Sequence, residues 1–555
     1  MFKTLITIAL IFNLGSIALV AQQPTQTSVF DVRDFGASGD GTNLDTPAIQ
    51  NAIRAANKAG GGTVILHPGT YVTGTFELLS NVTLDIEAGA VIQGSKNVAD
   101  YRAIQDFGFG RNYGIDSTGE GFKLGLIVAR NADNVSIIGK GAIDGSGDDF
   151  FDFTRPHYSM DFDPDSTRQR QGFMDAVLNT GDGPAAVKTS GRAGTMIVFS
   201  NCTNVTLRDI TLRNAPNWTL HLQNVRDSAI HAIHILNDLR IPNNDGIDCM
   251  SCRNVQISDC DIQTGDDDFA IVSSEGITIT NCSMVSNSSA IRFEDTRFSV
   301  FSNLVIHANR GIAIYERGTG VTSSVLFSNI VIETHLLTGH WWGKGEPIYV
   351  AAGTADGKGG TIRDVRFSNI SGQAENGIVV YGDPGATIEN VAFDQVAFRM
   401  RVTRKDINAA VGGNFDLRWT AESVTNGVIQ HDIPAFYARY VDGLEIHGLQ
   451  LSWADAMPSY YSSAVEIEDS RNIRIDRFAG RQASAPSESP VIALGQVHDV
   501  SITNSRADHG ASTFLSTRDV TGERLFTGND LLDARQAFGS KTTFTLGQNI
   551  MPSKK

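Results

Sequence analysis

The residues of this chain that are best suited to chemistry are aspartates in two short phrases. Residues 243 to 248 read Asn-Asn-Asp-Gly-Ile-Asp, and residues 265 to 268 read Gly-Asp-Asp-Asp. Carboxylates that share a site repel one another, so at least one of them holds its proton at a raised pKa. Glycoside hydrolysis with inversion needs a protonated carboxyl and an ionised one about 6.5 to 9.5 Å apart. Asp245, Asp266, Asp267 and Asp268 are therefore candidates for a catalytic cluster.

Two other interpretations of these aspartates stay open. An aspartate in a turn often satisfies backbone amides, and the protein would then be a non-catalytic β-helical adhesin or carbohydrate-binding protein. Several carboxylates together also suit calcium, which would favour β-elimination by a polysaccharide lyase. Elimination also needs a basic residue near the uronate, and the sequence alone does not place one.

The spacing of the two phrases matches a repeat along the chain. Asp245 and Asp266 are 21 residues apart (266 minus 245). One strand pattern recurs along the chain: a small polar residue is followed by alternating apolar positions. The first apolar residue of each copy is Val205, Ile230, Val255, Ile277, Val300 and Val325. The intervals of 25, 25, 22, 23 and 25 residues fit one coil of a β-solenoid. A sandwich or a propeller competes with this reading, but a propeller blade needs about 40 residues.

The repeat predicts an all-β fold, a right-handed single-stranded parallel β-helix. Adjacent coils would then bring the acidic side chains to neighbouring rungs, about 4.8 Å apart in backbone. We expect one domain over 28–540, with an N-terminal cap over 28–75. The short capping helix is predicted to begin at Asp45 or Thr46 and to end at the three glycines from Gly60. Such a cap covers the sheet edge that a solenoid exposes at its end.

Three further segments depart from the repeat. Residues 147–192 and 401–440 are predicted insertions, which either wall a binding groove or lie as solvated decoration. Residues 1–21 carry a basic residue at Lys3 and run into a short apolar stretch, which is typical of a secretory signal peptide. A membrane anchor is the alternative, although polar residues interrupt the stretch. We expect an exported protein, periplasmic or extracellular, with no membrane span after signal cleavage.

Charge and cysteine content narrow the choice of partners. The formal net charge of −16 argues against nucleic acid or an anionic membrane surface, although a local basic cleft would still bind an acidic polysaccharide. Export would permit disulfides, and one pair has the CxxC spacing of a zinc or redox site. The five cysteines are Cys202, Cys249, Cys252, Cys260 and Cys282. The place of Cys202, Cys252 and Cys282 in the repeat instead predicts buried thiols stacked on successive coils.

The two aspartate phrases resemble those of glycoside hydrolase family 28, the polygalacturonase family. The NxDG of 243–246, the GDD of 265–267 and the Phe-Ala-Ile that follows match the family in type and separation. Further similar phrases stand in the family's order at 36–46, 61–71, 89–95, 139–145 and 214–218. The resemblance covers about residues 30 to 350.

The resemblance implies a role for each residue of the aspartate phrases. Asp266 corresponds to the general acid, and Asp245 and Asp267 correspond to the pair that activates water. Asn243 belongs to the same motif and is a candidate substrate-binding residue. The resemblance further implies inverting hydrolysis of a poly- or oligosaccharide without a metal or other cofactor.

Two substrate-recognition phrases of the family are replaced. Where the family has GHG, this chain has Ser288 to Glu294 with no histidine, and where it has RIK, this chain has Gly311 to Arg317. Losing a basic pair that grips a sugar carboxylate argues against ordinary polygalacturonan as the substrate. The nearby side chains that would bind an acidic, sulfated or neutral sugar instead are Arg292, Glu294, Arg310, Tyr315, Arg317, Lys344 and Glu346.

Two adjacent tryptophans, Trp341 and Trp342, interrupt the coil pattern. Exposed indole faces stack on sugar rings, so both are candidate substrate-binding residues, and burial under a loop is the alternative. Together these features predict a secreted glycoside hydrolase that acts on a pectic or related plant or algal cell-wall saccharide.

Overall fold

The computed structural model describes residues 28–103, 124–156, 183–337, 341, 343–355, 358–403, 433–455, 457–483, 488–539 and 543–552. This part of the chain forms a right-handed parallel β-helix, which confirms the predicted fold class. One continuous hydrogen-bonded system joins 42 strands, and each coil pairs with the coils above and below it. The predicted signal peptide lies outside the described residues, as do 157–182 and 404–432 within the two predicted insertions.

Three parallel sheets form the sides of the coil. The site sheet, which carries the candidate site, contains the strands Phe76–Leu78, Ile127–Arg130, Ile197–Ser200, Leu220–Gln223, Ile247–Met250, Phe269–Val272, Ile348–Ala355, Ile378–Gly382, Phe436–Arg439, Val465–Glu468, Ile492–Gly495, Ala511–Arg518 and Ala534–Phe538. The second sheet contains Val29–Asp31, Gly62–Leu66, Val82–Ile86, Asp133–Ile138, Thr203–Arg208, Arg226–His231, Arg253–Ser258, Glu275–Thr280, Asp442–His447, Arg471–Asp476, His498–Thr503, Thr521–Thr527 and Thr545–Leu546. The third sheet contains Asp40–Leu44, Gly69–Thr73, Ala90–Gly94, Ala142–Asp144, Thr211–Arg213, His234–Leu236, Asp261–Thr264, Gln450–Trp453, Ala479–Gly480 and Arg506–Ala507.

Some elements depart from this three-sheet pattern. Long strands bend from one sheet into another at Ser283–Glu294, Arg297–Arg317, Val321–Thr334, Thr361–Ala374 and Thr387–Met400. Short antiparallel pairs join Arg102–Ala103 to Leu124–Gly125, Phe151–Pro156 to Ala185–Val187, and Ile348–Ala355 to Lys358–Gly359. Single 3₁₀ turns occur at Val32–Phe35, Val98–Asp100 and Gly147–Phe150.

The core consists of apolar rows that run along the helix axis. Alternate side chains of each strand point inward, so equivalent positions of successive coils stack on one another. Phe301, Phe327, Phe367 and Phe393 form one such row, with successive ring centroids 4.7, 5.2 and 4.9 Å apart. All five cysteines are buried free thiols, as the repeat predicted for Cys202, Cys252 and Cys282.

A row of asparagines forms a ladder at one corner of the coil. Asn281, Asn303, Asn329 and Asn369 have φ values of 56°, 56°, 56° and 52°. Asparagine tolerates this left-handed conformation better than most residues, which accounts for its recurrence. The side-chain amides of the last three donate to the preceding asparagine, with N···O distances of 3.1, 3.2 and 2.8 Å.

The predicted capping helix spans Thr46–Lys58 and buries Ile49 and Ile53 completely. Asp45 occupies the N-cap position but makes no capping hydrogen bond to the helix. Its carboxylate instead accepts from the backbone amide of Ser38 at 2.6 Å, which ties down the preceding loop. In the described part of the chain, no helix combines the length and apolar character that crossing a membrane requires.

Candidate active site

The three candidate aspartates lie in turns that lead into neighbouring strands of the site sheet. Asp245 precedes Ile247–Met250, while Asp266 and Asp267 precede Phe269–Val272 on the next coil, and these strands pair directly. The amide that follows Asp245 donates to the carbonyl oxygen of Asp267 at 2.9 Å, so the ladder extends into the turns. One carboxylate oxygen from each aspartate lies within 4.8 Å of one from each of the others.

The 4.8 Å limit applies to one oxygen of each aspartate and is not the distance between whole carboxyl groups. The carboxyl groups of an inverting pair, which flank a water molecule, are about 6.5 to 9.5 Å apart. The spacing therefore does not by itself predict the stereochemistry of the reaction.

The glycine of each aspartate phrase permits this close stacking. A Cβ atom on Gly246 would lie 2.5 Å from the carbonyl oxygen of Asp268. One on Gly265 would lie 2.3 Å from the carbonyl oxygen of Ile241. Any side chain at either position would push the turns apart and separate the carboxylates.

Hydrogen-bond donors surround Asp266. Its Oδ2 accepts from the backbone amide of Asn243 at 3.3 Å and from the side-chain amide of the same residue at 3.4 Å. Its Oδ1 accepts from the amide of Asp267 at 3.0 Å. Asn243 thus contacts a catalytic candidate directly, and these donors stabilise negative charge on Asp266.

Asp245 has a different electrostatic environment. Burial, followed by the charges of Asp266, Asp248 and Asp267, raises its pKa well above the ordinary value. Its Oδ1 is buried and has no hydrogen-bond partner among the residues that the structure describes. Burial and the neighbouring negative charges therefore favour the protonated form of Asp245.

Arg292 and Glu294 lie on the coil that follows the aspartates. The Nη2 atom of Arg292 is 3.0 Å from Oε2 of Glu294, and both side chains are about 5% exposed. Both residues lie on the strand Ser283–Glu294. Asp248, Ala270 and Arg292 occupy equivalent outward positions on three successive coils, so Arg292 and Glu294 face the same side of the solenoid as the site.

Arg310 and Glu346 form a second buried pair. Arg310 lies one coil beyond Arg292, and Glu346 lies one coil beyond Arg310. The Nε and Nη2 atoms of Arg310 donate to the two carboxylate oxygens of Glu346 at 3.1 and 3.0 Å. Arg310 also donates to the hydroxyl of Tyr315, and its guanidinium lies 4.2 Å from the ring centroid of Tyr349. The ammonium of Lys344 donates to the carbonyl oxygen of Trp341 at 3.3 Å.

The structure corrects the expected exposure of Trp341. Its side chain is only 2% exposed, so the interpretation in which it is buried under a loop is the right one for this residue. A ring packed in this way does not present a face for stacking on a sugar. Trp342 and the side chain of Arg317 lie outside the described residues.

The sequence analysis did not single out four residues that line the same face. Trp218 packs in a small apolar cluster with Met250 and Val272, and its ring centroid is 5.1 Å from that of His221. Burial lowers the pKa of His221 to about 4, so this imidazole is neutral. Side chains along each strand point alternately into the core and out of the coil. This alternation places His221, Met250 and Val272 on the outer face and is the sequence signal that could have identified them.

An insertion contributes a further contact to the site. Arg192, at the end of the predicted insertion 147–192, donates to Oδ1 of Asn243 at 3.3 Å and to the carbonyl oxygen of Pro242 at 3.2 Å. The described end of this insertion therefore adjoins the loop that carries Asp245.

The three aspartates are also the residues with the geometry to hold a metal ion. Each offers a carboxylate oxygen, and oxygen ligands at this spacing suit a hard cation such as calcium. No other group of three or more such side chains occurs in the described part of the chain.

Two protein-family models match the chain. The model described as glycosyl hydrolases family 28 matches residues 111–411, which is more than half of the chain. The model described as rhamnogalacturonase A/epimerase, pectate lyase-like, matches residues 29–147. The chain belongs to glycosyl hydrolases family 28, which confirms the resemblance seen in its aspartate phrases.

Individual relatives match parts of the chain. A probable polygalacturonase of Vitis vinifera is 30% identical over 247 residues, which are 43% of this chain and 43% of the relative. An exo-poly-alpha-D-galacturonosidase of Dickeya chrysanthemi is 25% identical over 388 residues, which are 65% of this chain and 58% of the relative. The chain thus spans about half the length of these relatives. The family 28 exopolygalacturonase of Yersinia enterocolitica shares the fold, with a TM-score of 0.54, 18% identity, and coverage of 80% of this chain and 78% of that one.

Proposed function

We propose that this protein hydrolyses glycosidic bonds in a pectic or related cell-wall poly- or oligosaccharide, with inversion, using Asp245, Asp266 and Asp267. The observation that carries the proposal is the convergence of three buried carboxylates, within 4.8 Å, from turns on adjacent coils. Such a cluster is electrostatically unfavourable, and acid and base catalysis is a chemistry that uses it. Relatives named for polygalacturonate hydrolysis support a pectic substrate.

In this proposal Asp266 protonates the leaving oxygen, and Asp245 and Asp267 hold and activate the attacking water. The electrostatics of the free site favour a different distribution, since burial keeps the proton on Asp245 and amide donors stabilise charge on Asp266. The first assignment needs that proton to pass to Asp266 when the substrate binds. In the second assignment Asp245 itself is the acid.

Leaving-group dependence distinguishes the two assignments. A variant that lacks the general acid hydrolyses an activated aryl glycoside far better, relative to wild type, than it hydrolyses a natural linkage. If Asp266 is the acid, Asp266→Asn shows this partial rescue and Asp245→Asn does not. The reverse pattern would assign the acid to Asp245.

A substrate panel tests the proposed function itself. Polygalacturonate, rhamnogalacturonan, xylogalacturonan, alginate, carrageenan and ulvan are incubated with the wild type and with Asp267→Asn as a blank. We expect saturated products with water added, as read by mass, and an inverted anomeric configuration in the first NMR spectra. Retained configuration would contradict inversion, and no cleavage in a panel extended to neutral galactans and arabinans would contradict the hydrolytic proposal.

The spacing of the carboxylates also favours a second candidate, a calcium-dependent polysaccharide lyase. Three oxygens within 4.8 Å would hold a cation beside the uronate. This candidate predicts unsaturated, ultraviolet-absorbing products and loss of activity in a chelator. The hydrolase predicts saturated products and activity that a chelator leaves unchanged.

We further propose that the protein is exported and that the insertion 147–192 walls the substrate groove. The apolar start of the chain supports export, and the contacts of Arg192 with Asn243 and Pro242 support the wall. Secretion of a form that begins near residue 22, measured by mass in the culture fluid, is the expected result. Retention of the full-length chain in cells would contradict export.

A further inference from the structure

The corner that follows the site sheet carries an aromatic residue, Tyr440, in a strained conformation. Its φ is 56°, which is in the left-handed region that bulky side chains rarely adopt. The residues with positive φ at the same corner of other coils are Asn131, Asn201, Asn224, Ser251, Ser273, Asp295, Asp469, Gln496 and Asp519. All nine are polar, and asparagine and aspartate tolerate this conformation well. A bulky residue held in such a conformation is a reason to look for a function at that position.

The neighbours of Tyr440 hold its ring in place. The equivalent residue on the preceding coil is Gly382, where a Cβ atom would lie 3.4 Å from the Cβ atom of Tyr440. The guanidinium of Arg439 lies 4.8 Å from the ring centroid and donates to the hydroxyl at 3.1 Å. The Nε atom of Arg439 donates in turn to Asp469 on the next coil, at 2.8 Å. The ring is therefore preorganised before any ligand arrives.

Tyr440 forms part of the wall of a cavity of about 460 Å³ at this corner, the Tyr440 cavity. This volume lies within the range of about 300 to 1,000 Å³ that is usual for small-molecule sites. The side chains of Arg471 and His498 in the same wall are 64% and 58% exposed, so the cavity opens to solvent. Arg439 does not line the cavity, so the part of the ring that it covers is turned away from it.

The charges of the Tyr440 cavity favour a neutral ligand. Among the described residues of its wall, three carry carboxylates, Glu389, Asp442 and Asp469, and one carries a guanidinium, Arg471. Arg471 pairs with Asp442 at 2.6 Å, so its charge is already matched. A uronate or a sulfated sugar would be repelled by the excess of carboxylates. Sugar hydroxyls can donate to carboxylates, and the apolar face of a sugar ring can pack on a tyrosine ring.

We propose that the Tyr440 cavity is a second saccharide-binding site, which binds neutral sugar units of a polysaccharide. It lies five coils beyond Asp267, about 24 Å along the axis at 4.8 Å for each coil. Asp267 precedes its strand of the site sheet, whereas Tyr440 follows its strand, so the two sites are separate. The second site takes no part in bond cleavage and keeps the polymer close to the protein. It goes beyond the proposed function and does not depend on the roles of the aspartates.

Affinity gel electrophoresis in galactan, arabinan or xyloglucan tests the proposal. Every protein carries Asp267→Asn, so that cleavage does not alter the polymer during the run, and this parent protein is compared with Tyr440→Asn and Tyr440→Phe. We expect at least one of the three neutral polymers to retard the parent. In that polymer we expect Tyr440→Asn to weaken binding roughly 10-fold and Tyr440→Phe, which keeps the ring, to stay within about 3-fold. We expect the melting temperature of Tyr440→Asn to be no lower than that of the parent, because asparagine suits this corner.

Phe298→Asn is the matched control. Phe298 also has a positive φ, 51°, is 60% exposed and lies outside the Tyr440 cavity. Its replacement relieves the same kind of strain, and we expect binding to remain that of the parent. No retardation of the parent by any of the three polymers would overturn the proposal. Unchanged binding in Tyr440→Asn, or in Tyr440→Gly if the asparagine variant does not fold, would also overturn it, as would an equal loss in Phe298→Asn. Hydrolysis by the Asp267→Asn parent would instead defeat the proposed function.

Discussion

Two buried arginines on the coils that follow the candidate catalytic aspartates form ion pairs within the protein. Arg292 pairs with Glu294, and Arg310 forms a two-point contact with Glu346. A sugar carboxylate at either place would compete with a buried glutamate for the same N–H donors, whereas sugar hydroxyls can bind at the edges of the pairs. These contacts agree with the loss of the basic recognition phrase in favouring a substrate other than plain polygalacturonan.

The buried carboxyl of Glu316 makes the free energy of unfolding depend on pH. Burial raises its pKa from 4.5 to about 8. The folded state holds the proton of Glu316 more tightly than the unfolded state does. The contribution of this proton to the free energy of unfolding is therefore complete below the pKa that Glu316 has in the unfolded chain. It is lost as the pH rises through the folded pKa.

We therefore expect the difference in unfolding free energy, wild type minus Glu316→Gln, to fall between about pH 5 and about pH 8. The fall amounts to roughly 1 kcal/mol per pH unit, the size set by one proton. Denaturant unfolding of both proteins at several pH values measures it. A difference that is flat or rises over this range would contradict the assignment of a buried, protonated Glu316.

At the scale of the element, the asparagine ladder holds the corner between two sheets. Asn329 combines a φ of 56° with a hydrogen bond to Asn303 at 3.2 Å and one from Asn369 at 2.8 Å. Alanine at this position would lose both hydrogen bonds and strain the backbone, whereas glycine would lose only the hydrogen bonds.

We expect Asn329→Ala to lower the unfolding free energy by about 1 kcal/mol more than Asn329→Gly does. This order is the reverse of the one that ordinary strand propensity gives, since glycine is usually the weaker residue in a strand. Thermal or denaturant unfolding of the two variants provides the comparison. A more stable alanine variant would show that the left-handed corner does not constrain this position.

The elements also explain which features could be read from the sequence. The interval from Val205 to Val325 predicted the coil because every coil keeps the same inward rows, and that period placed Asp245 beside Asp266. The pairing of Arg310 with Glu346 was unreadable, because the chain leaves the coil between the strands Val321–Thr334 and Ile348–Ala355. The burial of Trp341 depends on the path of the same excursion.

At the scale of the whole molecule, a solenoid must protect its ends. The helix Thr46–Lys58 packs on the first coils through residues that include Ile49 and Ile53. Without it, the edges of the first strands would offer unpaired amides and carbonyls to another molecule.

We expect Ile53→Asp to unseat the capping helix and cause association that increases with protein concentration. Arg54→Asp is the matched control, because Arg54 is exposed on the same helix. Size-exclusion chromatography with light scattering measures both. A monomeric Ile53→Asp protein, at concentrations where the wild type is also monomeric, would show that the helix does not guard the edge.

The most direct test of the central claim is the turnover of Asp266→Asn and Asp267→Asn on the panel polysaccharide that the wild type cleaves. Asp259→Asn is the control, since Asp259 lies in an exposed turn of the same solenoid. The account predicts that each site variant loses roughly 10²- to 10⁴-fold in kcat while it stays folded, and that the control keeps the wild-type rate. Site variants that are folded and as active as the control would contradict the claim that these carboxylates perform the hydrolysis.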